Sequence, residues 1–177
     1  ELPASAVPTK LEVTPVSSAV TVTPALPLVS CIMPTANRPD FVRQAIRYFQ
    51  QQDYANRELL IVDDEGADMA GTLPADARIR YVQMAAGRSI GAKRNYACEL
   101  AQGEIIAQWD DDDWYAAGRL TAQVAPLLAG EAEISGLRTT LFFELSRWHF
   151  WGCTPELHRR MFEADVHGGT LVFRRQV

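Results

Sequence analysis

Four consecutive aspartates, Asp110 to Asp113, follow the apolar run Ile105-Ile106-Ala107 and precede Trp114 and Tyr115. Carboxylates that close repel one another, so a fold that gathers them must supply a cation or a set of hydrogen-bond donors. A divalent metal is the simplest neutraliser, and all-oxygen ligation selects Mg²⁺ or Mn²⁺ over zinc. Few protein carboxylates leave coordination positions open, which substrate phosphates would fill. The competing reading is an acidic helix start, with aspartates capping the segment that follows. A second cluster, Gly87 to Asn95, sets Lys93 and Arg94 near the start of a helical pattern. It is not a P-loop, because three residues separate Gly87 from Gly91 and Ala92 precedes the lysine. A basic helix start facing the acidic loop would suit a diphosphate bridging the two; a solvent-facing pair of cations is the alternative. Pro34 to Arg38 and Asp63-Asp64 are two further polar clusters, each at the end of an apolar run.

Other chemistries find less support. His149, His158 and His167 are separated by nine residues each and Cys153 lies four beyond the first, a spacing that matches no compact zinc pattern. Trp148, Phe150 and Trp151 are read as core or interface residues before a sugar platform. No Gly-x-Ser-x-Gly elbow occurs, and nothing marks Cys31, Cys98 or Cys153 as a nucleophile.

Such clusters need strands to carry them. Residues 28–33 form a continuous apolar run that predicts a buried parallel strand, and Pro39 then opens a helix whose apolar face is Val42, Ala45, Ile46 and Phe49. Strands are predicted over 58–62, 78–84 and 104–109, with helices over 90–101 and from Gly118 to about 128, the latter shortened or kinked by Pro126. Beyond Ile134 the pattern changes, with strands expected over 137–145 and 169–174. Strands alternating with helices predict an α/β fold, a mostly parallel sheet flanked by helices. In such sheets ligands bind beyond the carboxyl ends of the strands, where the polar clusters fall.

The chain of 177 residues allows one domain, and its 47% apolar and 22% charged residues are those of an ordinary globular protein. Residues 1–26, with four prolines and little charge, read as a linker or extended arm, and 27–177 as the domain. A net charge of −5 argues against a general affinity for nucleic acid. Pro24 and Pro27 interrupt the most apolar stretch, so no transmembrane segment is expected in this chain. Three widely spaced cysteines fit a reducing, cytoplasmic compartment, at the inner face of a membrane if other parts of the protein reach it.

Taken in order, the clusters resemble the inverting glycosyltransferases of family 2, which have the GT-A, Rossmann-like nucleotide-sugar fold. Val29 to Arg38 looks like the family's first strand and Pro-Thr-x-Asn-Arg loop, and Leu60-Ile61-Val62-Asp63-Asp64 like its second strand. Arg88 to Asn95 with Gly103-Glu104-Ile105-Ile106 is similar to its Arg-Asn helix and Gly-Glu turn, and Gln108 to Trp114 falls on its metal-binding Asp-x-Asp. The resemblance implies that Pro34, Thr35, Asn37, Arg38, Asp64, Lys93, Arg94, Asp110 and Asp111 bind a nucleotide-sugar, with Asp64 on the base and Asp111 on the ribose. It implies Asp112 as first metal ligand and Asp110 as second, for Mn²⁺ or Mg²⁺. The implied reaction moves a sugar, most plausibly from a UDP-sugar, to a hydroxyl of a glycan, lipid-linked or protein acceptor in glycan or polysaccharide synthesis. His167-Gly168-Gly169-Thr170 looks like the glycine-rich approach to the acceptor. Ala36 stands where many relatives have Tyr, and Glu65 where many have Gly, with Gly66 one place later. The family's catalytic base follows the Gly-Gly-Thr strand and is expected beyond Val177; Glu163 and Asp165 precede that strand and are poor substitutes. The alternative function is a GT-A module without turnover that binds nucleotide-sugar or a protein; nucleotidyl transfer is disfavoured, since no Gly-rich basic loop follows the first strand.

Overall fold

The structure is a computed structural model that describes residues 25–66, 69–138, 141–161 and 166–176. All but Ala25 and Leu26 of the proline-rich arm, and both Glu163 and Asp165, lie outside the described residues.

The first strand, β1 (Val29–Thr35), is buried along its whole length, as its apolar run requires. Pro39 then sits in the first turn of helix α1 (Pro39–Gln50), where a missing N–H costs nothing, and Val42, Ala45, Ile46 and Phe49 face the sheet. β2 (Arg57–Asp63) and β3 (Ile79–Gln83) follow. Helix α2 (Ile90–Leu100) starts at Ser89, whose hydroxyl accepts from the Ala92 N–H at 3.1 Å. After β4 (Ile105–Gln108), helix α3 (Arg119–Leu128) ends two residues past Pro126, and Gly130 turns the chain with φ 71°.

Two short strands, β5 (Ile134–Ser135) and β8 (Val172–Arg174), complete a six-stranded sheet of order β3-β2-β1-β4-β8-β5. β3, β2, β1 and β4 run parallel, while β8 is antiparallel to β4 and β5 antiparallel to β8. The chain moves outward from β1 to β2 and β3, then returns to the other side of β1 with β4. That reversal opens a crevice beyond the ends of β1 and β4. Gly103 lets the turn before β4 close on β1, because a Cβ there would stand 2.5 Å from the Leu28 carbonyl oxygen.

One core packs α1 and α3 under the sheet around Trp109, which is fully buried with Phe49 edge-on at 6.3 Å and Tyr115 at 4.2 Å. The other packs α2 on the opposite face through Ile32, Leu60, Val62, Ala97 and Ile106.

The region after Ile134 departs from expectation. Of the predicted strand over 137–145, residues 141–144 form β6 (Leu141–Glu144), which pairs with β7 (His149–Gly152) as an antiparallel ribbon, followed by α4 (Pro155–Met161); β5, at 134–135, lies before the predicted span. Dense aromatics with no polar alternation give no period from which β7 could be placed. The strand expected from Gly169 begins at Val172, since Gly168–Thr170 forms a 3₁₀ turn.

Candidate active site

Thr35, the last residue of β1, donates its hydroxyl to Asp111 Oδ2 at 2.6 Å, joining the ends of β1 and the loop after β4. Arg38, at the start of α1, forks across the same loop, giving one N–H to Asp111 Oδ1 at 2.8 Å and another to Asp112 Oδ2 at 2.9 Å. Arg94 reaches from α2 to Asp110 Oδ1 at 2.7 Å. The four aspartates therefore do not stand as a bare negative cluster: two arginines and a threonine clamp three of them. Asp111 is 4% exposed with both oxygens used inside the protein, whereas the Asp112 side chain is 47% exposed and lies open to solvent. Burial pushes the Asp111 carboxyl above the usual carboxylate range, opposed by the Thr35 hydrogen bond and the Arg38 charge.

Asp113 turns away from this clamp. It accepts from the Tyr115 hydroxyl at 3.3 Å, and burial followed by the charge of Asp110 raises its pKa, with His167 nearby acting in the opposite sense. The Tyr115 oxygen also accepts the Asp110 N–H at 2.8 Å, fixing the bend of the loop. Gly169 packs directly on it, close enough that an added Cβ would stand 2.4 Å from Asp110 Oδ2. The glycine-rich turn and the acidic loop are thus one site.

On the other flank, Lys93 is buried and donates to Asp64 Oδ1 at 2.6 Å and to the Thr35 carbonyl at 2.9 Å. Asp64 Oδ2 accepts the Arg88 N–H at 2.7 Å. The lysine hydrogen bond holds the Asp64 carboxyl below the usual carboxylate range against the opposing effect of burial. Asp63 acts differently, since its carboxylate accepts from the Tyr81 hydroxyl and the Glu65 N–H, at 3.1 and 3.2 Å, and ties the loop after β2 to β3. Gly66, with φ 89°, makes the turn after Asp63-Asp64, and its missing Cβ would lie 2.6 Å from Asn37 Oδ1. Asn37 itself has φ 50° and brings Arg38 over the crevice.

The site residues expected from the sequence therefore converge: Pro34 and Thr35 at the end of β1, Asn37 and Arg38 just after it, Asp64 after β2, Lys93 and Arg94 on α2, and Asp110 to Asp112 after β4. Lys93 is not solvent-facing, because it is spent on Asp64 and Thr35. Tyr115, Asp113, Arg88 and Gly169 join the site without having been assigned as ligand residues; Asp113 lies in the four-aspartate run, Arg88 at the start of the Arg-Asn segment and Gly169 in the Gly-Gly-Thr run, so of these Tyr115 alone carries no signal in the sequence. Among the described residues no three His, Cys, Asp or Glu side chains converge as a ready cation cage. Asp110 and Asp112 nevertheless offer hard oxygen donors at the crevice and leave positions for phosphate oxygens, a donor set that suits Mg²⁺ or Mn²⁺.

Residues 30–166 match the family model described as glycosyl transferase family 2. The chain is 40% identical over 104 residues to "Putative colanic acid biosynthesis glycosyl transferase WcaA" of Escherichia coli K12, covering 56% of this chain and 37% of that one. It is 34% identical over 104 residues to the UDP-Glc:alpha-D-GlcNAc-diphosphoundecaprenol beta-1,3-glucosyltransferase WfgD of Escherichia coli, covering 57% and 41%. The chain thus spans about two fifths of the length of these relatives. Among solved structures, the mannosyltransferase PcManGT of Pyrobaculum calidifontis, in complex with GDP-Man and Mn²⁺, superposes with a TM-score of 0.63 at 22% identity, over 85% of this chain and 45% of that one. Residues 1–349 of TarS from S. aureus give 0.60 at 18% identity, over 83% and 47%.

Proposed function

Because the chain belongs to glycosyl transferase family 2 and carries the GT-A fold, we propose that it forms the donor-binding part of an enzyme that transfers a sugar from a nucleotide-sugar to an acceptor hydroxyl in glycan or polysaccharide synthesis. The observation that carries this reading is the Thr35–Asp111 and Arg38–Asp111/Asp112 junction, which closes the crevice where the strand order reverses.

In this reading the nucleotide enters between the Asp64–Lys93 flank and the acidic loop. Asp64, ionised by its lysine, accepts an N–H from the base, and a uracil ring offers one. Arg94 and Arg38 face the diphosphate, where their fixed donors suit phosphate oxygens. Asp112 and Asp110 would hold a divalent metal, which would supply positive charge where the diphosphate departs. The acceptor hydroxyl gives its proton to the carboxylate base expected after the Gly-Gly-Thr strand and attacks the anomeric carbon, the bond from that carbon to the phosphate oxygen breaks, and a nucleoside diphosphate leaves. The Gly168–Thr170 turn borders the acceptor side. UDP-sugar as donor is supported by the similarity to WfgD, named as a UDP-Glc glucosyltransferase, while the GDP-Man complex of PcManGT makes GDP-sugars the comparison to run.

A second reading draws on the clamp: with Asp110, Asp111 and Asp112 each compensated by an arginine, the loop is stable without a cation, as in a module that holds a nucleotide-sugar or a protein without turnover. A thermal-shift titration with UDP, GDP and their sugars, with and without Mn²⁺, separates the two. Ligand at about 100 times its dissociation constant adds about 2.7 kcal/mol to stability. Mn²⁺-dependent stabilisation by one nucleotide, lost in Asp112→Asn, is the expected result. Equal stabilisation with and without metal, unchanged in Asp112→Asn, would remove Asp112 and the metal from the proposal.

A further inference from the structure

The β6–β7 ribbon has two unlike faces. Opposed residues share a face, so Leu141, Phe143, Phe150 and Gly152 line one side, while Phe142, Glu144, His149 and Trp151 line the other. Phe143 stacks on Phe150 with ring centroids 4.2 Å apart, and Trp148, at the tip with φ 56°, meets Phe143 edge-on at 5.5 Å. These rings organise one another, yet they are not covered: Leu141 and Trp148 are each 77% exposed and Phe150 is 71% exposed. Leu145 adds a further exposed aliphatic side chain at the turn. A two-stranded ribbon gains little stability alone, and an apolar face this exposed needs an occupant.

Charge indicates which. Residues 137–161 hold four arginines (Arg138, Arg147, Arg159, Arg160) against two glutamates (Glu144, Glu156), a local excess of +2 in a chain of net charge −5. Five of the chain's eleven Phe and Trp residues fall in the same segment. Arg147 stands next to Trp148 at the ribbon tip, and Arg159 and Arg160 lie exposed on α4. Arg147 meets Glu144 at 3.6 Å and Arg160 meets Glu156 at 3.9 Å, exposed pairs that water screens and a lipid phosphate can replace. Tryptophan and phenylalanine with protruding leucines, rimmed by arginine, is the composition of an element that lies in a membrane interface. An acidic protein would have to bring both carboxylates for the arginines and an apolar pocket for Leu141 and Leu145, whereas an anionic bilayer presents both together. A sugar would use the rings but gain nothing from those leucines.

We propose that the β6–β7 ribbon and α4 form a membrane-docking surface, which beds Leu141, Leu145, Trp148 and Phe150 among the headgroups of an anionic bilayer while Arg147, Arg159 and Arg160 meet lipid phosphates. The docking stands whether or not the acidic loop transfers a sugar. Basic side chains gather anionic lipid and apolar ones hold the surface there, the two signals that stable peripheral binding requires.

The test is sedimentation of the 177-residue chain with vesicles of phosphatidylcholine alone and with about 30% phosphatidylglycerol added. The chain pellets with the anionic vesicles, and raising the salt releases it. Trp148→Ser with Phe150→Ser lowers the partition coefficient by at least about tenfold, since two exposed rings lose their burial in lipid. Arg147→Gln, Arg159→Gln and Arg160→Gln together remove the preference for phosphatidylglycerol. All these side chains are exposed, so unchanged circular dichroism and thermal midpoint confirm that the variants fold. The proposal is overturned if the wild-type chain stays in the supernatant, or if the double ring variant pellets as well as wild type. It is also overturned if ultracentrifugation shows a dimer that the ring variant converts to monomer, which would give this face to a second copy of the chain.

Discussion

Gly169 and Asp110 come so close that a single added carbon on Gly169 would stand 2.4 Å from the Asp110 carboxylate. The glycine turn before β8 is therefore cut to the shape of the acidic loop after β4. Gly169→Ala must push the carboxylate off Arg94 or tilt the turn, a steric conflict of the kind that costs about 1–3 kcal/mol. The expected outcome is a lower denaturation midpoint with a larger loss of nucleotide binding, read by thermal shift with and without ligand. Wild-type binding in Gly169→Ala would show that the contact has no bearing on the site.

Lys93 and Asp64 form a buried ion pair, and its two halves are not equally replaceable. Asp64→Asn leaves the ammonium with the Thr35 carbonyl and no counter-charge, which should cost about 3–5 kcal/mol in urea unfolding. Adding Lys93→Met to that variant should recover much of the loss, because an apolar side chain has no charge to leave unpaired. A cost below about 1 kcal/mol for Asp64→Asn alone would mean that the pair is solvated when the protein is free of ligand.

Away from the crevice, Asp76 accepts from Arg78 through its backbone N–H, Nε and one terminal nitrogen, and from Gln50. The Arg78 hydrogen bonds hold the Asp76 carboxyl well below the usual carboxylate range. A depressed folded-state pKa contributes stability that is present above the unfolded value, about 3.9, and lost as pH falls through the folded one. Stability should therefore decline on acidification below about pH 4, and Asp76→Asn should flatten that limb while lowering stability at pH 7. Parallel pH profiles for the two proteins would show that the pair contributes nothing to folding.

The parallel core was legible because its strands are short, mainly apolar runs that stop at polar residues, and because Val42, Ala45, Ile46 and Phe49 keep a helical period. The site was legible in its types and spacing: Thr35, Arg38, Asp64 and Asp110 to Asp112 all sit where a strand ends. Which partners they choose was not. Nothing local told that Lys93, three residues into α2, turns inward to Asp64 rather than outward, since that depends on strands brought together across the sheet. The ties of Tyr115 to Asp110 and Asp113 are local, but a phenol beside four carboxylates does not show in advance which of them it meets. β6 falls within the strand expected over 137–145, but β7 and the ribbon pairing escaped for another reason: a run rich in Phe and Trp on both faces has no period to read.

Arg38 concentrates most of what the crevice does in one side chain. Its two terminal nitrogens reach Asp111 and Asp112, and its guanidinium lies 4.6 Å from the centre of the Phe41 ring. A lysine at this position keeps the charge but not the fork, so it can serve one carboxylate at a time and loses the flat stack on the ring. Because Arg38 is well exposed, Arg38→Lys should cost less than about 1 kcal/mol of stability. Its effect on nucleotide-sugar affinity should be larger, at least about tenfold, since the acidic loop loses the brace that orders Asp112 and the diphosphate loses a two-pronged donor. Calorimetric titration of nucleotide with Mn²⁺ into both proteins makes the comparison. Equal affinities would mean that Thr35 and Arg94 suffice to hold the loop, and would reduce Arg38 to a surface ion pair.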